Sequence, residues 1–119
     1  MAQDFESQGV QITNSATTIL TANSDDAIIS IRLANITAAA VTVSVWINEG
    51  GSTQRYLVKD VALPAASSIE LIQGGAKVVM QNTDVLQGQS SAASSVDTWV
   101  SFVDSISTVS YTHLRANET

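Results

Sequence analysis

Side chains able to do covalent or acid–base chemistry are scarce in this sequence. It holds one histidine, His113, and no cysteine. Without cysteine there is no thiolate nucleophile, no disulfide and no cysteine-held zinc. A Ser-His-Asp triad needs an imidazole beside its nucleophile, and the one imidazole stands in an atypical final stretch, Val109–Thr119. Carboxylates remain. Two of them across a cleft can hydrolyse a glycosidic bond, yet Asp60, Glu70, Asp84, Asp97 and Asp104 fall at strand ends or on polar faces, where solvated charge is the plainer reading. Asn23-Ser24-Asp25-Asp26 groups oxygens of the kind calcium accepts, but it lacks the spaced acids of a calcium loop and reads as a turn. Gly50-Gly51 and Gly74-Gly75 are isolated doublets, not a phosphate-binding loop. The expectation is no catalytic residue, no cofactor and no metal site.

Aromatic side chains are the better candidates for recognition. Side chains alternate across a strand with period two. In Val41–Ile47 the set Val41, Val43, Val45, Ile47 points one way and Thr42, Ser44, Trp46 the other. In Ser95–Val103, Val96, Val100 and Phe102 oppose Asp97, Trp99 and Ser101. Trp46 and Trp99 therefore lie opposite the main apolar set of their strands. Such a tryptophan either meets a neighbouring subunit or a sugar ring, or is covered by its own chain. Tyr56, beside Leu57, has the same two readings.

The elements that would position these residues are all strands. Apolar runs with period two are predicted at Ala16–Thr21, Ala27–Asn35 (Ile29, Ile31 and Leu33 inward), Val41–Asn48, Gln54–Lys59, Ser67–Ile72, Lys77–Gln81, Asp84–Gln87 and Ser95–Val103. Between them stand the turn signals Asn23–Asp26, Glu49-Gly50-Gly51-Ser52, Pro64 and Gln73-Gly74-Gly75, and a polar loop at Gly88–Ser94. No segment keeps a 3.6-residue apolar period. The pattern predicts an all-β protein, an antiparallel β-sandwich, jelly-roll-like or Ig-like, of about seven or eight strands. The expected organisation is an N-terminal arm at 1–14, a sandwich at 15–108 and a non-native tail at 109–119. The arm, anchored sparsely by Phe5, Val10 and Ile12, is expected to cross to a neighbouring copy.

Bulk properties narrow the partners. A chain of 119 residues suits one domain with a real core. The net charge of −6, with Arg32, Arg55, Lys59 and Lys77 scattered, argues against nucleic acid, which needs clustered cations. Only 13% of residues are charged, so the polar surface must be mostly Ser, Thr, Asn and Gln, as suits a protein packed among copies of itself. There is no basic, apolar leader at the start and no run of the roughly 20 apolar residues a membrane helix requires.

Several runs together carry a resemblance: SATTILTANSDDAIISIRLANITAAAVTVSVWI, then RYLVKDVALPAASSIELIQGGAKVVM, then DVLQ and SSVDTWVSFVD. This order resembles small virion proteins of marine tailed bacteriophages over about residues 9–104. The resemblance implies a compact β-sandwich made in the host cytoplasm and built into the virion as a head-decoration, neck or tail component. Its implied partners are copies of itself and other virion proteins, with no membrane. It carries no site residue across. The alternative is a carbohydrate-binding or adhesive module that offers Trp46, Trp99 and Tyr56 to a host-surface glycan. The tail VSYTHLRANET resembles a translated sequencing adapter, VSYTHLRAHET, with Asn117 in place of the histidine. That likeness implies a metagenomic source and a native chain ending near Thr108 or continuing differently, with no function for His113.

Overall fold

The computed structural model describes residues 4–72 and 78–104. The Gln73-Gly74-Gly75 turn, Lys77 and the tail Val109–Thr119 with His113 lie outside them. The described residues form strands and turns: β1 (Asp4–Ile12), β2 (Thr17–Thr21), β3 (Asp26–Asn35), β4 (Val41–Glu49), β5 (Thr53–Leu63), β6 (Ser68–Glu70), β7 (Val78–Met80), β8 (Val85–Ser90) and β9 (Val96–Asp104). They make two antiparallel sheets. One runs β1-β9-β3-β6, with β7 also on β3; the other runs β2-β8-β4-β5.

β6 and β7 pair with opposite ends of β3, at Arg32–Ala34 and at Asp26–Ile28. They are two pieces of one interrupted edge strand. Counted so, the sheets read 1-9-3-6/7 and 2-8-4-5, and each connection except the β4–β5 hairpin crosses between sheets. This is the jelly-roll order rather than the immunoglobulin one. In the hairpin turn Gly50 and Gly51 have φ of 64° and 86°, a left-handed path that glycine follows without Cβ strain.

The alternating positions build the core. Ile12, Ile28, Ile31, Leu33, Val96, Val100 and Phe102 face inward from one sheet; Ile19, Val41, Val43, Val45, Leu63 and Leu86 come from the other. Asn35 is buried at the β3–β4 crossing with both ends of its amide in use. Its Nδ2 donates to the carbonyls of Ala39 at 2.8 Å and Leu63 at 3.0 Å, and its Oδ1 accepts from Thr37 N at 2.9 Å and Thr37 Oγ1 at 2.7 Å. One side chain thus ties the crossing to the end of β5.

The structure corrects the sequence expectations at four places. Residues 4–12, expected as an arm, are strand β1, paired with β9 from Asp4↔Asp104 to Ile12↔Val96 without a register shift. The period-two signal is faint there because Glu6 and Gln8 face inward near an open sandwich end, so that only Val10 and Ile12 reach the apolar interior. On β3 Ile28, rather than Ile29, joins Ile31 and Leu33 as fully buried; Ile29 is the extra residue of a bulge that shifts the pairing with β9 between Ile28 and Ser30. β8 runs on through Gly88, Gln89 and Ser90, expected as loop, because these residues pair with Val45, Ser44 and Val43 of β4; the glycine is there because a Cβ at 88 would stand 2.7 Å from Ile12 Cδ1. Finally, β5 is longer than expected and doubly bulged, with register shifts between Val43 and Val45 and between Val45 and Trp46 of its partner β4.

Candidate interaction surfaces

Trp46, Tyr56 and Trp99 do not share a surface. Trp46 and Tyr56 are cross-strand partners on the outer face of the four-stranded sheet. Trp99 lies on the outer face of the other sheet, between Gly9 of β1 and Arg32 of β3. In a two-layer sandwich these faces point in opposite directions.

Trp46 is outward by alternation yet only 4% exposed. Tyr56 packs edge-on against it, with ring centroids 5.7 Å apart and planes at 64°, and the Lys59 ammonium stands 5.2 Å from the Tyr56 ring centroid. Such a cation over an aromatic face is attracted by the ring quadrupole. Of the two readings open for Trp46, cover by its own chain is the one the structure shows. Around this pair lies a shallow cavity of about 300 Å³ lined by Thr42, Ser44, Lys59, Asp60, Gln89 and Ser91 as well as the two rings. Asp60 is held at φ 52° in the second bulge of β5, its amide donating to Ser44 Oγ at 2.9 Å. Most polar groups of this face are bonded to the chain itself: Gln89 Nε2 donates to Asn14 O and Ser91 Oγ accepts from Thr42 N.

Trp99 is the opposite case. It is 53% exposed, and its indole lies on Gly9, where a Cβ would come within 3.0 Å of Cε3 and Cζ3. The missing side chain is what lets the ring lie down on the sheet. Phe5 and Val79 are exposed on the same outer face, at the positions where β1 and β7 turn their side chains away from the core.

The acids named from the sequence are mostly structural rather than merely solvated. Glu70 Oε2 accepts from Ile31 N at 2.8 Å and Ile72 N at 3.1 Å, and Oε1 from Ser30 Oγ at 2.7 Å. Its carboxylate thus serves the backbone just past the β3 bulge, where ladder bonds are lost. Asp84 accepts from Gln81 N and from Gly50 N, each at 2.9 Å, and so joins the β7–β8 turn to the β4–β5 hairpin. Asp97 accepts from Gln11 Nε2. A cleft at one end of the sandwich brings Glu6, Asp26 and Asp104 near one another, a grouping that sequence spacing could not reveal. Ser24 Oγ lies 2.8 Å from Asp26 Oδ1 and 2.7 Å from Asp104 Oδ1, with one proton to donate between them. Among the described residues no group of three or more His, Asp or Glu side chains is placed to hold a metal ion.

No family model and no curated protein matches the chain. Among solved structures it is similar to a protein of the Bacillus endospore appendages, described as a novel family of disulfide-linked pili, with 18% identity, a TM-score of 0.53 and 87% of each chain covered. It also aligns with a chain from the structure of infectious bursal disease virus, Gx strain, with 13% identity and a TM-score of 0.43, over 87% of this chain and 30% of that one. At such identities the likeness to the appendage protein shows a shared fold.

Proposed function

We propose that this chain is a non-enzymatic structural component of a tailed-phage virion, a head-decoration, neck or tail protein that works by self-assembly and by contact with the shell. The observation that carries this reading is the contrast between the two outer faces. One covers Trp46 with its own side chains and leaves the Tyr56 ring, under Lys59, 46% exposed; the other leaves Trp99, Phe5 and Val79 together in water. Three of the five large apolar side chains exposed among the described residues share this face, and such a gathering marks an interaction site. A jelly roll alone does not assign function, but it is a recurrent design of viral shell proteins, and the order of the apolar runs resembles phage virion proteins. The Bacillus protein of similar fold belongs to disulfide-linked pili; with no cysteine, this chain would assemble through non-covalent contacts.

The carbohydrate-binding alternative is less supported, because its three aromatic residues lie on opposite sides of the sandwich and the Tyr56 ring already carries Lys59. The test is the mass of the full chain in solution, followed by co-sedimentation with empty tailed-phage heads and with tails. Association with itself and pelleting with one of the particles is the expected result. A chain that stays monomeric and remains in the supernatant with both refutes the proposal.

A further inference from the structure

The sheet register places a continuous apolar row on the outer face of the five-stranded sheet. Phe5 of β1 is opposite Val103 of β9, Val103 is opposite Ala27 of β3, and Ala27 is opposite Val79 of β7. These four side chains cross the sheet from edge to edge. All point away from the core, since their neighbours Ile28, Met80 and Phe102 are the buried ones, and none of the four packs on the interior cluster. Phe5 is 80% and Val79 55% exposed. The next rows on the same face are Ser7, Ser101 and Ser30, then Gly9, Trp99 and Arg32, then Gln11, Asp97 and Ala34. Around the two apolar features the face carries mostly small or hydroxyl side chains, with Arg32, Gln11 and Asp97 as its longer polar ones.

We infer that this face is the site where a second copy of the chain stacks, sheet against sheet. The inference rests on the self-assembly reading above and gives it a surface. Three observations favour a second copy. The first is charge. The chain as a whole carries −6, which opposes the approach of a like copy. Among the described residues this face presents one cation, Arg32, and two carboxylates, Asp97, which accepts from Gln11 Nε2, and Glu70, which is turned onto backbone amides, a small part of the chain's −6. The face is near neutral and can meet itself. The second is area. Four strands at about 4.8 Å and nine residues at about 3.4 Å give a face of roughly 20 by 30 Å, or about 600 Å² in projection. With side-chain relief this approaches the roughly 800 Å² per partner of a standard stable interface. The third is symmetry. A two-fold contact needs one patch that complements itself; an apolar row beside a field of small polar side chains, stacked at the usual sheet spacing of about 10 Å, provides one.

The test uses the full chain in sedimentation equilibrium. Phe5→Ser with Val79→Glu alters two exposed positions on this face; Thr42→Glu places a charge on the other outer face as control. The expected result is a wild-type dimer whose dissociation constant rises at least tenfold in the double variant and less than twofold in the control. A second measurement needs no variant. Trp46 is already buried, so a blue shift of tryptophan emission with increasing concentration reports the covering of Trp99. If the wild type associates but the double variant behaves like the control, or the emission does not move, the stacking face is wrong while self-assembly stands. If the wild type stays monomeric up to about 1 mM, stacking is overturned, and particle co-sedimentation alone then decides the structural role.

Discussion

Replacing Thr98 by valine is expected to stabilise this protein. Thr98 lies on the inner face of β9 between Val96 and Val100 and is 3% exposed. Its Oγ1 is buried without a hydrogen-bond partner, alone in this among the described residues. An unpaired buried hydroxyl costs about 1–3 kcal/mol by the measure of protein mutants, and the methyl that replaces it adds up to ~0.8 kcal/mol of apolar burial. Threonine and valine share the branched shape and the strand preference, so backbone and rotamer terms nearly cancel. Thr98→Val should therefore gain about 1–2 kcal/mol, or roughly 4–8 °C in Tm for a domain of this size. Thr98→Ser, which keeps the hydroxyl and deletes the methyl, should lose about 1 kcal/mol. Urea unfolding followed by circular dichroism would read both as shifts of the midpoint at constant slope. A valine variant destabilised by 1 kcal/mol or more would show that the hydroxyl is satisfied in solution, and the reasoning would fall.

Asn35→Ala removes an amide that serves the buried carbonyl of Leu63, the carbonyl of Ala39 and Thr37. It should cost about 2–4 kcal/mol in the same urea experiment; a loss under 0.5 kcal/mol would show that water replaces the side chain freely. Glu70→Ala leaves the amides of Ile31 and Ile72 without their acceptor. A loss of about 2–3 kcal/mol is expected, together with faster hydrogen exchange at Ile31; unchanged exchange there would mean that the bulge does not depend on the carboxylate.

What the sequence made legible is what depends on neighbours along the chain. The alternation in Val41–Ile47 and Val96–Phe102 marks the inner faces, because a strand turns successive side chains to opposite sides. The same rule says which way Trp46 points but not what lies over it; its cover comes from Tyr56 and the doubly bulged β5, a cross-strand fact. A bulge is one extra residue with no compositional mark, so Ile29 reads as inward until the register shift is seen. The role of Glu70 rests on the pairing of β6 with β3, and jelly roll against immunoglobulin order rests on which distant strands meet. The period-two rule is silent on both.

The strand edges set a limit on how copies can join. β6 and β7 are three-residue pieces, β5 has two register shifts, and β2 is short with a shift between Thr18 and Leu20. Among the described strands β1 alone offers a long edge of even register. Broken edges are poor templates for an added strand. Edge pairing thus has a valence of one per copy: two copies can close on each other through β1, and the chemistry of the ladder stops there. A strand-to-strand filament needs a valence of two. Among the described elements, an assembly larger than a pair then has the sheet faces to draw its geometry from, or a different protein.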